Sequence, residues 1–126
     1  MPLDATDFRI DVANPDKAVD ADKHALFALR SIRRAIAEFG WIKGQYRGHI
    51  GHDRCFVGWC QYYGLNDDEQ ADFCEWYVLP ALPKRYQKQT TTGIGKLIRF
   101  NDSKSTTKGS MLRMIDRAIA LIPPPE

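Results

Sequence analysis

The chain has 126 residues, of which 44% are hydrophobic and 27% charged, and a net charge of +2 at pH 7. This is one domain's worth of ordinary globular composition, and it excludes wholesale disorder, a collagen-like repeat and a disulfide-dense miniprotein. No run of about 18 apolar residues occurs, so no membrane-spanning helix is predicted, and the acidic start Met1-Pro2-Leu3-Asp4 lacks a signal peptide's pattern; a cytoplasmic location is expected.

Residues 1–19 read as an acidic N-terminal arm, with Asn14-Pro15 and an alternation of Phe8, Ile10 and Val12 that suits a short edge strand. A single helical domain is expected over 20–122. Its first helix is predicted from Ala21 to Phe39, capped by Asp20 or Asp22 and buried along Leu26, Leu29, Ile32, Ile36 and Phe39. Gly40 stands where a left-handed terminating residue is wanted. The glycine-rich stretch 40–51 then reads as a structured loop or small hairpin pinned by Trp41, Ile42 and Tyr46.

A second, central helix is predicted from Asp53 to Gly64, because Cys55, Phe56, Trp59, Cys60 and Tyr63 cover most of its circumference. Asn66-Asp67-Asp68-Glu69 carries the signature of a capping box and opens a third helix with Phe73, Trp76, Tyr77 and Val78 on its apolar face. Pro80 and Pro83 end or kink it. Lys84 to Gly95 is basic, polar and glycine-punctuated, and reads as a mobile surface loop; Lys96 to Phe100 reads as a strand or turn. The last helix is predicted from about Ser105 or Thr106 to Leu121, with a broad buried face of Met111, Leu112, Met114, Ile115, Ala118, Ile119 and Ile122 and with Lys108, Arg113 and Arg117 on its exposed side. Residues 123–126 form a Pro-rich tail. The expected fold is therefore mostly α, with about four helices around one core and Trp41, Trp59 and Trp76 largely buried.

Charge is distributed unevenly. Residues 1–24 carry −3 and residues 83–117 carry +7, from nine Lys or Arg against two Asp. Lys84, Arg85, Lys88, Lys96, Arg99, Lys104 and Lys108 can neutralise phosphates, Tyr86 can stack on a base, and Arg30, Arg33 and Arg34 join them if helix 1 lies alongside. The sober alternative is a solvated face offset by the acidic arm.

Other motifs are weaker. His49, His52, Cys55 and Cys60 contain four nitrogen or sulfur donors, but their spacing matches no common zinc framework. Cys55 with His52 is the one sequence-local nucleophile–base pair, and a thiol in apolar surroundings is inert. Thr92-Gly93-Ile94-Gly95-Lys96 departs from a phosphate-binding loop at both ends and reads as a flexible glycine turn. Three cysteines in apolar contexts fit a reducing compartment rather than a disulfide framework.

Gly40-Trp41-x-x-Gly44 after an amphipathic helix, Cys55-x-x-Gly58 opening a second, and Phe100-Asn101-Asp102 before a final helix together resemble an uncharacterised family of small bacterial and phage proteins. The resemblance spans about residues 25–121. Phe100 stands where the family often has Trp, and Trp59 where it often has a small residue. It implies a fold and carries no catalytic residue; Asn101 and Asp102 read physically as caps for the final helix or the turn before it. With no catalytic set and no cofactor motif, the expectation is a non-enzymatic macromolecular interaction module. A protein partner ranks first, nucleic acid through 84–108 and helix 1 second, and a small enzyme or zinc protein using His49–Cys60 third.

Overall fold

Helix α1 runs from Pro15 to Phe39 in the computed structural model, which describes residues 15–43, 54–88 and 92–123, with side chains from Asp20 onward. Proline suits the first helical position because its missing N–H has no intrahelical acceptor to lose. The helix thus starts six residues before the expected Ala21, and Asp20 and Asp22 lie inside it rather than capping it. Asp22 instead accepts a hydrogen bond from the Tyr77 hydroxyl at 2.9 Å. The buried face is made by Ala21, Ala25, Ala28, Leu29, Ile32, Ala35 and Ile36. Its small residues allow close approach of α6, and this moves the apolar stripe away from Leu26, which is half-buried, and Phe39, which is exposed. The Arg33 guanidinium clamps the pair by donating to both carboxylate oxygens of Asp116, at 2.6 and 3.2 Å.

Gly40 terminates α1 at φ 110°, a conformation that favours glycine. Trp41 then pairs with Arg54 in an isolated parallel bridge. Helix α2, Phe56–Tyr62, begins where the Cys55 sulfur accepts from the Gly58 amide at 3.3 Å, so the C-x-x-G sequence is a helix cap; the predicted start at Asp53 lies outside the described residues. Gly64, at φ 88°, closes it. Helix α3, Asp67–Phe73, carries the predicted capping box: the Glu69 amide donates to Asn66 Oδ1 and the Asn66 amide to Glu69 Oε1.

Beyond Phe73 the chain widens into a π-helical turn, Cys74–Val78, then tightens into a 3₁₀ turn, Leu79–Ala81. The reason is visible in the burial pattern. Glu69, Phe73, Tyr77 and Ala81 are buried, as are Gln70, Cys74, Val78 and Leu82, giving a repeat of four. An α-helix advances about 100° per residue, so three such repeats drift about 120° off one face. One inserted residue turns the helix back by about that amount. The same register leaves Trp76 on the outside, 53% exposed, contrary to the expectation that all three tryptophans are buried. Trp59 is buried and Trp41 half-buried.

The described parts of the segment expected to be a loop followed by a strand or turn are helical. Helix α4, Lys84–Gln87, follows Pro83, and helix α5, Gly93–Asp102, is capped by Thr92, whose hydroxyl accepts from the Gly95 amide at 3.1 Å. The glycine pair 93 and 95 forms the first turn of α5 rather than a flexible turn. A Cβ on Gly93 would overlap Glu75 Oε2, so the glycine makes room for a carboxylate against the positive end of the helix. An acid in that position argues against phosphate binding there. Helix α6, Lys108–Leu121, is capped reciprocally by Thr107 and Ser110. The described residues are therefore mostly α, with six α-helices instead of four. α1, α2, α5 and α6 enclose a core of Leu29, Ile32, Ile36, Phe56, Phe73, Leu97, Met111, Met114 and Ile115.

Candidate nucleic-acid interface

Two features meet at the turn between α5 and α6. The first is Asn101, 2% exposed, at the end of α5. Its Oδ1 accepts from Trp41 Nε1 at 2.7 Å and from the Phe56 amide at 3.2 Å. Its Nδ2 donates to the Ile42 carbonyl at 3.2 Å and to Asp102 Oδ1 at 3.0 Å. The Trp41 and Phe56 groups are obligate donors, which fixes the orientation of the amide. Trp59 Nε1 adds a bond to the Gly40 carbonyl at 3.1 Å, and the Ile42 amide reaches Arg54 O at 3.4 Å. Asn101 thus ties together the two ends of the segment 44–53 and the start of α2. It caps neither the last helix nor the turn before it; Thr107 caps α6.

The second feature is cationic. The Lys43 ammonium donates to the Ser103 carbonyl at 2.6 Å. Lys108 Nζ reaches the Ala37 carbonyl at 3.4 Å, so the end of α1 lies beside the start of α6. Arg85 projects from α4 to the same turn and donates through Nη2 to Ser105 Oγ at 2.8 Å and to the Tyr86 hydroxyl at 3.0 Å. Arg85, Arg113 and Arg117, with Ser105, Thr106 and Ser110, line an open pocket of about 210 Å³ that has Pro83 and Phe100 on its wall and no carboxylate among the described residues. Arg117 Nε donates to the Ala81 carbonyl at 3.1 Å. Asp116, the residue before Arg117 on α6, is held by Arg33. Burial pushes the Tyr86 phenol up, but hydrogen bonding with Ser103 and the Arg85 charge outweigh it, and the net direction is down.

The predicted basic residues divide accordingly. Arg85, Lys104 and Lys108 come together at the α5–α6 turn, and Lys84 and Lys88 are exposed at the two ends of α4. Lys96 is half-buried and Arg99 exposed on α5. On α1, Arg30 is exposed, Arg33 is committed to Asp116, and Arg34 pairs with Glu38 at 3.4 Å. Tyr86 is 5% exposed, packed edge-on against Phe100 at 5.4 Å and overlain by Arg85 at 4.8 Å, so its ring presents no free face for a base. The sequence reading missed Arg113 and Arg117 as site residues, along with Lys43. A signal was present: Thr106, Ser110, Arg113 and Arg117 are spaced i, i+4, i+7, i+11, one face of a helix.

His49 and His52 lie outside the described residues. Cys55, Cys60 and Cys74 are buried free thiols. Burial raises all three, Cys60 strongly and Cys74 to about 12, so each is a protonated core side chain at neutral pH. Among the described residues no group of three or more His, Cys, Asp or Glu side chains is placed to hold a metal ion. No helix among them is long and apolar enough to cross a membrane. A separate apolar cleft of about 320 Å³ lies between Asp22, Trp76, Pro80, Leu121 and Ile122.

No curated protein and no solved structure matches the chain. A family model does match, over residues 21–121, a span that includes Trp41, Cys55 and Asn101, joined at the base of segment 44–53. The chain belongs to this family, which is described as a family of unknown function (DUF6197).

Proposed function

We propose that the chain is a non-enzymatic module that contacts nucleic acid through the face formed by α4, the α5–α6 turn and the outer side of α6. One observation carries the reading: Arg85, Arg113 and Arg117 line one pocket with no carboxylate among the described residues of its wall. Like charges brought together without an acid are unfavourable unless an anion joins them. Lys84, Lys104 and Lys108 extend the positive field from neighbouring positions. Phosphate contacts of this kind give affinity without sequence readout. With Tyr86 covered, base stacking on that ring plays no part.

The test is fluorescence anisotropy with single- and double-stranded DNA and RNA at about 50 and about 200 mM salt, where phosphate contacts reveal themselves. Lys84→Glu with Lys104→Glu replaces two exposed cations. Binding should weaken across all sequences and the salt slope should fall by about two. Unchanged affinity in that variant would remove the face from the reading.

A second reading, contact with a protein, is favoured by Trp76 and Leu121, both more than half exposed beside one apolar cleft. It predicts that Trp76→Lys abolishes co-purification of a native partner while nucleic-acid affinity stays the same. Retention of the partner by that variant rejects it.

A further inference from the structure

The pocket on the basic face has more specific chemistry than a charged surface. It is smaller than the roughly 300 Å³ at which sites for drug-sized ligands begin. It has room for an oxyanion, and its aromatic wall residue, Phe100, is buried, so it offers no plate for a nucleobase. Its polar lining residues, Arg85, Arg113 and Arg117 with Ser105, Thr106 and Ser110, all carry groups that can donate. Arg85 is already oriented by Ser105 and Tyr86, and Arg117 by the Ala81 carbonyl. Thr106 is 3% exposed, and its hydroxyl is buried with no hydrogen-bond partner among the described residues. A buried hydroxyl left unpaired in an otherwise satisfied turn calls for a partner supplied from outside.

From this geometry we infer that the pocket seats a phosphate monoester, the terminal phosphate of a nucleic-acid strand, among Arg85, Arg113, Arg117 and Thr106. A backbone diester presents two non-bridging oxygens and one charge. A monoester presents three oxygens and close to two charges, which suits three guanidinium groups. This inference rests on the nucleic-acid reading above and adds preference for an end over an internal site.

The experiment compares one single-stranded oligonucleotide in three forms: 5′-phosphorylated, 3′-phosphorylated and unphosphorylated, each internally labelled and titrated with the full chain. At least one phosphorylated form should bind about tenfold tighter than the unphosphorylated one, and the comparison of the two ends identifies which terminus is seated. Inorganic phosphate should compete away that advantage. Arg113→Gln should erase the difference while circular dichroism stays unchanged, since no hydrogen bond or ion pair to the Arg113 side chain occurs among the described residues. Equal binding of all three forms by the wild type overturns the pocket and leaves the basic face standing. A preference that survives in Arg113→Gln overturns the assignment to this pocket. Failure of every form to bind overturns both readings.

Discussion

Replacing Asn101 with Ala removes the side chain that joins the three motif segments. Four hydrogen bonds are lost, to Trp41 Nε1, the Phe56 amide, the Ile42 carbonyl and Asp102. At about 1 kcal/mol net for each, the direct loss is about 4 kcal/mol. Trp41 and Ile42 are half-buried, so water can replace part of it, whereas the buried Phe56 amide is left without its side-chain acceptor at the first position of α2. The expected net cost is about 3 kcal/mol, and the expected fall in Tm about 12 °C at about 4 °C per kcal/mol for a domain of this size. Urea unfolding followed by tryptophan fluorescence measures it directly, because Trp41 and Trp59 both report on this node. Asn101→Asp keeps the acceptor but loses the donor to Ile42 and buries a charge; it should be destabilising too. A cost below about 1 kcal/mol for Asn101→Ala would refute the view that this amide holds the base of segment 44–53 together.

The remaining predictions concern the core and the helix starts. Native protein at neutral pH should react slowly with a thiol reagent and expose three reactive cysteines only on unfolding, since Cys55, Cys60 and Cys74 are buried and their thiols raised; rapid labelling of any one would contradict the packing. Gly93→Ala should destabilise by less than about 1 kcal/mol, although alanine is the better helix former, because its Cβ must displace the end of the exposed Glu75 side chain and press on the Glu75 Cα at 3.3 Å. Glu75→Ala should recover part of the loss, and a stabilising Gly93→Ala would defeat the argument. Stability should also fall in alkali. The folded-state values of Cys74 and Tyr77 lie above their ordinary ones, so the unfolded chain loses its protons first. Their contribution is complete below about pH 8.5 and declines as pH rises towards the folded value, about 12 for Cys74. The unfolding free energy from urea titration should be lower at about pH 10 than at about pH 8, by roughly 1–2 kcal/mol per buried thiol; a flat profile would count against it.

How far the fold could be read depended on whether the deciding contact was local. Asn66 and Glu69 stand three apart, and their capping box was legible because both partners lie in one turn. Gly40 and Gly64 were legible for the same reason: a left-handed residue ends a helix whatever packs around it. α5 was missed because its local signals are poor. Two glycines and a Thr look like a turn until Leu97, Phe100 and Asn101 are seen to be buried by elements distant in sequence. Trp76 was misplaced because a period of 3.6 was applied where burial repeats every four residues and a π turn takes up the difference. At the candidate site, Arg85 reaches Ser105 in the turn that holds Lys104, just before Lys108 opens α6. Arg113 and Arg117 belong to the same surface only because α4 and the α5–α6 turn fold against α6, and no charge count along the chain contains that information.

The turn itself invites a last test, because it is shared by both features. Lys43 holds the Ser103 carbonyl from one side, Ser103 and Ser105 hydroxyls lie 3.1 Å apart, and Ser105 accepts from Arg85 on the pocket side. If this chain of contacts acts as one unit, loosening either end alters the value of the other. Lys43→Met removes a charge-assisted bond worth about 1.5–3 kcal/mol, and Ser105→Ala a bond to a charged donor of similar size, with part of each regained by water at the exposed side. In a double-mutant cycle the two losses should fall short of additive by at least about 0.5 kcal/mol, beyond the 0.3–0.5 kcal/mol expected of independent sites. The cycle is read from unfolding free energies, so it does not depend on any ligand. Simple additivity would mean that the Lys43 contact and the pocket are merely adjacent. Coupling would mean that the Lys43–Ser103 and Arg85–Ser105 contacts act as one unit.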